Sequence, residues 1–216
     1  DVEHIEEQLN SAIQRIPVLG ETGIKIFFNG PESFTPDNRY WLGPSIEVPN
    51  FFLAAGFNSI GIQSAGGAGK VLAEWIVNGD PPMDLWDVDA RRMMPFQVNR
   101  EYLHDRTVEA LGLLYAMHWP FRQPETARGV RTSVLHQRLT DLGACFGETA
   151  GWERANWFAP KGVEPVYEYS YGRQNWFDHS AREHRSVREN VGVFDMSSFG
   201  KYLVQGRDAC QVLERV

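Results

Sequence analysis

The stretch FFLAAGFNSIGIQSAGGAGKVLAEWI, residues 51–76, constrains the fold more than any other. Its opening, FFLAAG, reads as a buried strand. The run then breaks into glycines and restarts at once with helical spacing: Ala65, Ala68, Leu72, Trp75 and Ile76 share one face. Ser64 is suited to cap that helix and Gly79, after Asn78, to stop it. Bare backbone beside a helix start serves one of two ends. It lets the helix pack closely on a sheet, or it lets the main chain approach a ligand.

Two phosphate motifs fail on inspection. A P-loop needs GxxxxGK[ST], but Gly69-Lys70 is followed by Val71, and Ser64 stands where the first glycine should be. A dinucleotide fingerprint needs GxGxxG, but Gly67-x-Gly69 is followed by Leu72. What remains is a helix start with free N–H groups and about half a positive charge. A planar group that becomes anionic would be stabilised there. The N1–C2=O edge of a reduced flavin is such a group.

The rest of the chain reads as mixed helix and strand. Val2, Ile5, Leu9, Ala12, Ile13 and Ile16 predict a first helix that Pro17 ends. GIKIFF (23–28) predicts a strand, and residues 29–45 read mostly as turn. DPPMDLWD (80–87) reads as a boundary. Residues 99–119 predict a helix with Val108, Leu111 and Tyr115 inward. Residues 133–146 fit strand or helix, and VYEYSYG (166–172) fits a strand. SARE (180–183) fits a capping box before a helix running to about Val191, followed by two short strands around a turn.

Composition excludes several function classes. The net charge of −7 argues against nonspecific nucleic-acid binding, which needs clustered Lys and Arg. Cys145 and Cys210 are distant and form no CxxC, which suits a reducing compartment. Bacterial cytoplasm or mitochondrial matrix is the expected location. No HxH, HxxxH or HExxH occurs, and no metal site is expected. No apolar run of about 18 residues predicts a membrane span.

GPESFTPD (30–37), then LGP (42–44), then the glycine stretch resemble the C-terminal part of the flavin domain of the dimethylglycine/sarcosine dehydrogenase family. GWERANWFAP (151–160) and GVFDMSSFGKYLVQG (192–206) resemble the start of that family's folate-binding, aminomethyltransferase-like domain. The resemblance covers nearly the whole chain. It implies the C-terminal part of a flavin-binding α/β domain at 1–80, a small linking domain at 81–138, and the beginning of an α+β folate domain at 139–216.

The implied cofactors are FAD and tetrahydrofolate, and the implied small-molecule partner is an N-methyl amino acid, dimethylglycine or sarcosine. The reaction the resemblance implies is oxidation of the N-methyl amine, with a hydride passing from the methyl carbon to flavin N5 to leave an iminium and the one-carbon unit then going to tetrahydrofolate. The implied flavin contacts are Asn58, Ser59, Ile60, Gly61 and Ile62, with Gly66 and Gly67 at the helix start. Glu32 stands where related oxidases often place a carboxylate-binding arginine. It is open to pairing with a cationic amine or to stabilising a turn. Phe34 is open to walling the substrate pocket or to lying in the core.

Trp152, Trp157 and Phe158 fit a pterin platform or a domain-interface core. Asp195 reads as a structural cap before Ser197, and Lys70 as solvated. The chain opens inside a helical pattern and closes on RDACQVLERV, so it reads as a piece of a longer polypeptide, inactive by itself. The remainder of that polypeptide, or another subunit, is the expected partner. A one-carbon protein of the aminomethyltransferase type, without redox activity, is the alternative.

Overall fold

The computed structural model describes residues 2–215. They fall into two units, Asp1–Glu32 and Ser33–Val216. In the first unit a 3-10 turn at Val2–Ile5 leads into helix α1 (Glu6–Arg15), and Pro17 opens the next turn. The strand expected at 23–28 does not form. Its N–H and C=O groups need a neighbour to pair with. Among the described residues none pairs with it, and Ile26 and Phe28 are 72% and 87% exposed.

The second unit opens with an antiparallel hairpin. Strand β1 (Trp41–Pro44) pairs β2 (Phe52–Ala55) from Trp41↔Ala55 to Pro44↔Phe52. Residues expected as turn thus supply one of the two strands. The buried side of the pair is Leu42, whereas Phe51 and Ala54 are exposed. The Leu42 N–H donates to the Val88 carbonyl at 2.9 Å, so the chain just after the expected boundary runs along β1.

Helix α2 (Gly61–Asn78) begins four residues earlier than a cap at Ser64 would place it, with Ile60 at the N-cap position. Ser64 cannot cap it, because its N–H already bonds to the Ile60 carbonyl at 3.0 Å. Gly66 and Gly67 therefore lie inside the helix, not at its start. Ala68 and Trp75 are buried, and Ser64, Val71 and Leu72 are half-buried, while Ala65 and Ile76 face outward. Gly79, at φ 85°, stops the helix as expected.

Close packing of helix on hairpin depends on a different glycine. A Cβ at Gly43, where φ is +111°, would sit 2.6 Å from the Trp75 ring. A Cβ at Gly66, Gly67 or Gly69 would meet nothing within 4 Å.

Asn99 caps α3 (Arg100–Tyr115), its side-chain oxygen accepting from the N–H groups of Glu101 and Tyr102. The inward face is Arg106 and Ala110, whereas Val108, Leu111 and Tyr115 point outward. An inward arginine hides this face from any reading of apolar periodicity.

Residues 133–146 hold both α4 (His136–Asp141) and the start of β3 (Ala144–Thr149). β3 pairs antiparallel with β4 (Trp152–Phe158), with an irregularity between Cys145 and Phe146. Helix α5 (Phe177–Glu189) starts before Ser180, so the expected capping box is already within the helix. Glu183 instead accepts the Phe158 N–H at 2.8 Å. Residues 166–172 and 192–206 form no strands, and α6 (Ala209–Leu213) follows.

Candidate functional site

The sharp turn between β2 and α2 has three left-handed residues in four: Gly56 (φ 66°), Asn58 (φ 48°) and Ser59 (φ 64°). Such backbone persists only where its surroundings fix it. Here the fixing group is the Asn58 side chain, buried to 1% exposure against an equally buried Thr35. Its Oδ1 accepts the Thr35 N–H at 2.8 Å, and its Nδ2 donates to the Gly56 carbonyl at 2.7 Å and to Thr35 Oγ1 at 3.1 Å. The Asn58 N–H donates to the Ser33 carbonyl at 3.3 Å. A Cβ at Gly56 would fall 2.6 Å from Thr35 Cγ2, so this closeness needs glycine.

Thr35 belongs to the turn Thr35-Pro36-Asp37, which is itself anchored twice. Asn38 Nδ2 donates to the Ala110 carbonyl of α3 at 2.7 Å. Asp37 takes a bidentate pair from Arg92, Nε at 2.8 Å and Nη2 at 3.0 Å. Nearby, Arg39 pairs with Asp87. Asp89 caps the 3-10 turn Ala90–Arg92 by accepting the Arg91 N–H at 2.8 Å. Burial pushes the Asp89 carboxyl up, but the Arg91 side chain and N–H outweigh it and hold it below its ordinary range.

The residues expected at a flavin separate into two kinds. Asn58 is bound inward, so its side chain is engaged with Thr35 and Gly56. Ser59 is exposed, Ile60 and Gly61 are half-buried at the start of α2, and the Ile62 side chain is fully exposed. Gly66 and Gly67 lie further along α2 with open space at the Cβ position. Phe34 is half-buried. Glu32 is exposed at the end of the first unit. Lys70 pairs with Glu74 at 2.5 Å on the solvent side of α2.

A second region is built on the β3–β4 hairpin. Arg106 of α3, only 7% exposed, donates to Glu148 at 2.7 Å and to the Thr126 carbonyl at 2.6 Å. Glu109 accepts from the N–H groups of Glu125 and Thr126 at 2.8 and 2.9 Å. Arg128 grips Glu153 in bidentate fashion at 2.9 and 2.5 Å, and the Gly129 N–H adds a third bond at 2.7 Å. Burial pushes Glu153 up, but Arg128 and Gly129 hold it below the ordinary glutamate range. For Glu109, burial is likewise outweighed, by Thr126 and Glu125.

Trp157 is 1% exposed in a core with Cys145, Ala159, Tyr167 and Trp176, and it stacks on His179 at 5.3 Å. It is therefore core and not a platform. Trp152 lies under the Arg131 guanidinium at 4.3 Å. Asp195 accepts from Ser133 Oγ at 2.5 Å and from the Ser197 N–H at 3.0 Å, the cap expected of it. Those two donors hold its carboxyl below its ordinary range. Between β4, α5 and residues 191–198 lies a cavity of about 510 Å³, whose walls include Phe158, Val187, Val193 and Phe194.

Sequence reasoning missed Thr35, Arg92 and Arg106. The nearest signal for Thr35 was the quoted GPESFTPD block, in which it lies. The two arginines carried none, since each finds its carboxylate more than forty residues away in the chain. Among the described residues no cluster of three or more His, Cys, Asp or Glu could hold a metal ion. No helix among them is long and apolar enough to cross a membrane.

Three family matches tile the chain. Residues 1–75 match "FAD dependent oxidoreductase", 78–133 match "FAD dependent oxidoreductase central domain", and 135–216 match "GCVT N-terminal domain". A 4-methylaminobutanoate oxidase (formaldehyde-forming) of Paenarthrobacter nicotinovorans is 53% identical over 199 residues, 92% of this chain and 24% of its own. Human mitochondrial sarcosine dehydrogenase is 36% identical over 97% of this chain and 26% of its own. A mouse mitochondrial protein named as a pyruvate dehydrogenase phosphatase regulatory subunit is also 36% identical, over 99% of this chain and 25% of its own. The chain thus spans about a quarter of the length of these relatives. With the three domain types in this order and these relatives, the chain belongs to the dimethylglycine/sarcosine dehydrogenase family of FAD-dependent oxidoreductases.

Proposed function

We propose that the chain is part of an FAD-dependent enzyme that oxidises an N-methyl amino acid and hands the one-carbon unit to tetrahydrofolate. The observation that carries the flavin part is the turn at 56–62, locked by Thr35 and Asn58 at the mouth of α2 and lying within the FAD dependent oxidoreductase match.

The residues present fit the pyrimidine end of a flavin. An 18-residue helix offers its first N–H groups there, Ile62 stands free to cover an apolar ring, and the α2 glycines leave open space. When bound, FAD supplies the electron acceptor for oxidising the methyl carbon. In this reading the main chain of Asn58, Ser59, Ile60, Gly61 and Ile62 receives the ring, with Gly66 and Gly67 giving clearance. Asn58 contributes through its backbone, since its amide holds the turn. Phe34 is assigned to the amine side.

We assign residues 1–80 to the flavin domain, 81–138 to the linking domain and 139–216 to the folate domain. The tetrahydrofolate part rests on the GCVT match and on the 510 Å³ cavity, whose apolar walls and polar Arg154 and Glu183 suit a flat heterocycle. The substrate is an N-methyl amino acid, with sarcosine, dimethylglycine and 4-methylaminobutanoate as candidates. The 216-residue chain alone is expected to be inactive.

The test is a visible spectrum of the intact polypeptide, taken before and after anaerobic addition of each candidate amine. A flavin band that bleaches with one of them supports the reading and identifies the substrate. A colourless intact polypeptide, with FAD supplied, sinks it. The relative with a regulatory-subunit name favours a second, non-redox reading, to which that outcome would point. Tetrahydrofolate binding would then separate a one-carbon protein from a purely regulatory one.

A further inference from the structure

We propose that Arg92 is the positioning residue of the flavin-facing turn, although it belongs to the central-domain segment and touches no part of residues 56–62. The proposal rests on the flavin reading above. Its side chain is 13% exposed, so it is not a loose surface cation. Besides the bidentate pair to Asp37, its Nη1 donates to the carbonyls of Tyr40, Val88 and Asp89 at 3.2, 3.1 and 3.1 Å. Its Nη2 also donates to the Arg39 carbonyl at 2.5 Å. One planar fork thus gathers a carboxylate and four carbonyls, two carbonyls from 39–40 and two from 88–89. An ammonium has three donors on a point charge and cannot reproduce that pattern.

The Arg39 carbonyl held by Arg92 also accepts Thr35 Oγ1 at 3.0 Å. Thr35 in turn donates its N–H to Asn58 Oδ1, and the Asn58 amide sets the left-handed turn. Arg92, the Arg39 carbonyl, Thr35 and Asn58 form an unbroken hydrogen-bonded line from the central segment to the start of α2. Losing Arg92 leaves Asp37 without its bidentate counter-charge and frees the 35–40 loop that holds Asn58.

The test uses the intact polypeptide with Arg92→Gln and Arg92→Lys. Hydrogen exchange at 56–64 reads the amides of Asn58, Ile60 and Ser64, all internally bonded, and needs no cofactor. Loss of a charged hydrogen bond predicts exchange about tenfold faster or more at these positions in Arg92→Gln. Exchange in α3 should stay unchanged, and the potential of the bound flavin should shift. If Arg92→Gln fails to fold, Arg92→Lys, which keeps a cation beside Asp37 but cannot span the carbonyls of 39–40 and 88–89, carries the same comparison.

Unchanged exchange at 56–64 alongside loosened 84–92 would reduce Arg92 to a local tie and overturn the proposal. Full recovery by Arg92→Lys would overturn the fork argument. A loosened turn with an unaltered flavin potential and spectrum would overturn the role toward flavin. An intact wild type without flavin would instead sink the functional reading, while the exchange data would still decide the link from Arg92 to the turn.

Discussion

Thr35 and Asn58 lie 23 residues apart and satisfy each other in the interior. Truncating Asn58→Ala strands the Thr35 N–H and frees a turn of unfavourable backbone. The expected loss is about 1–3 kcal/mol in denaturant unfolding of the intact polypeptide. Thr35→Val removes only the hydroxyl and should cost less.

Glu153 gives a pH prediction whose sign is fixed. Its carboxyl titrates below the ordinary glutamate range when folded, so its contribution is full above about pH 4.5 and is lost as pH falls below that. The stability gap between wild type and Glu153→Gln should therefore shrink on acidification from neutral pH, as read from urea midpoints. A gap that widened would contradict the Arg128–Glu153 assignment.

Little of this was legible beforehand. The resemblance marked Asn58 as a flavin neighbour, but nothing local marks its amide as a brace. A hydrogen bond across 23 residues leaves no periodic trace.

At the level of elements, α2 makes the clearest wager. Glycine inside a helix costs about 0.5–1 kcal/mol relative to alanine. Gly66 and Gly67 meet no neighbour at Cβ, so alanine there should stabilise the helix by that amount each. If the flavin reading holds, the same substitutions in the intact polypeptide loaded with FAD weaken flavin retention, read as absorbance left after dialysis. Stabilisation with undiminished flavin would remove these glycines from the cofactor's surroundings.

Gly43→Ala is the opposite case, with a Cβ driven into Trp75 at an unfavourable φ. It should destabilise by about 1–3 kcal/mol, measured by thermal melting. The existence of α2 was readable from its 3.6-residue period, and its end from Gly79. Its start was not, because Ser64 fits a cap by type while the backbone had already become helical at Gly61. In α3 the inward face was misread because Arg106 replaces an apolar residue with an ion pair that only tertiary contact reveals. GIKIFF carries strand chemistry, but strand formation depends on a partner, which local sequence cannot supply.

For the whole molecule, apolar exposure is the dominant feature. Phe28, Met117 and Val134 are 87%, 93% and 94% exposed, alongside many other large apolar side chains. Surfaces of this kind mark contacts with further protein. The 216-residue chain produced alone should therefore bind a hydrophobic dye and self-associate in sedimentation, whereas the intact polypeptide should do neither. The domain types and their order were legible because the quoted blocks carry them. The ties between segments were not, since they are single charged residues such as Arg92 and Arg106.

Those ties bear on how such proteins can be recombined. A chimaera joined at the seam between the first two family matches, near residue 77, would take Asp37 from one parent and Arg92 from the other. The crossover looks neutral on a domain map, yet it divides one hydrogen-bonded unit between two ancestries. Exchanging 33–92 as a single cassette keeps the carboxylate, the fork and the turn they support under one inheritance.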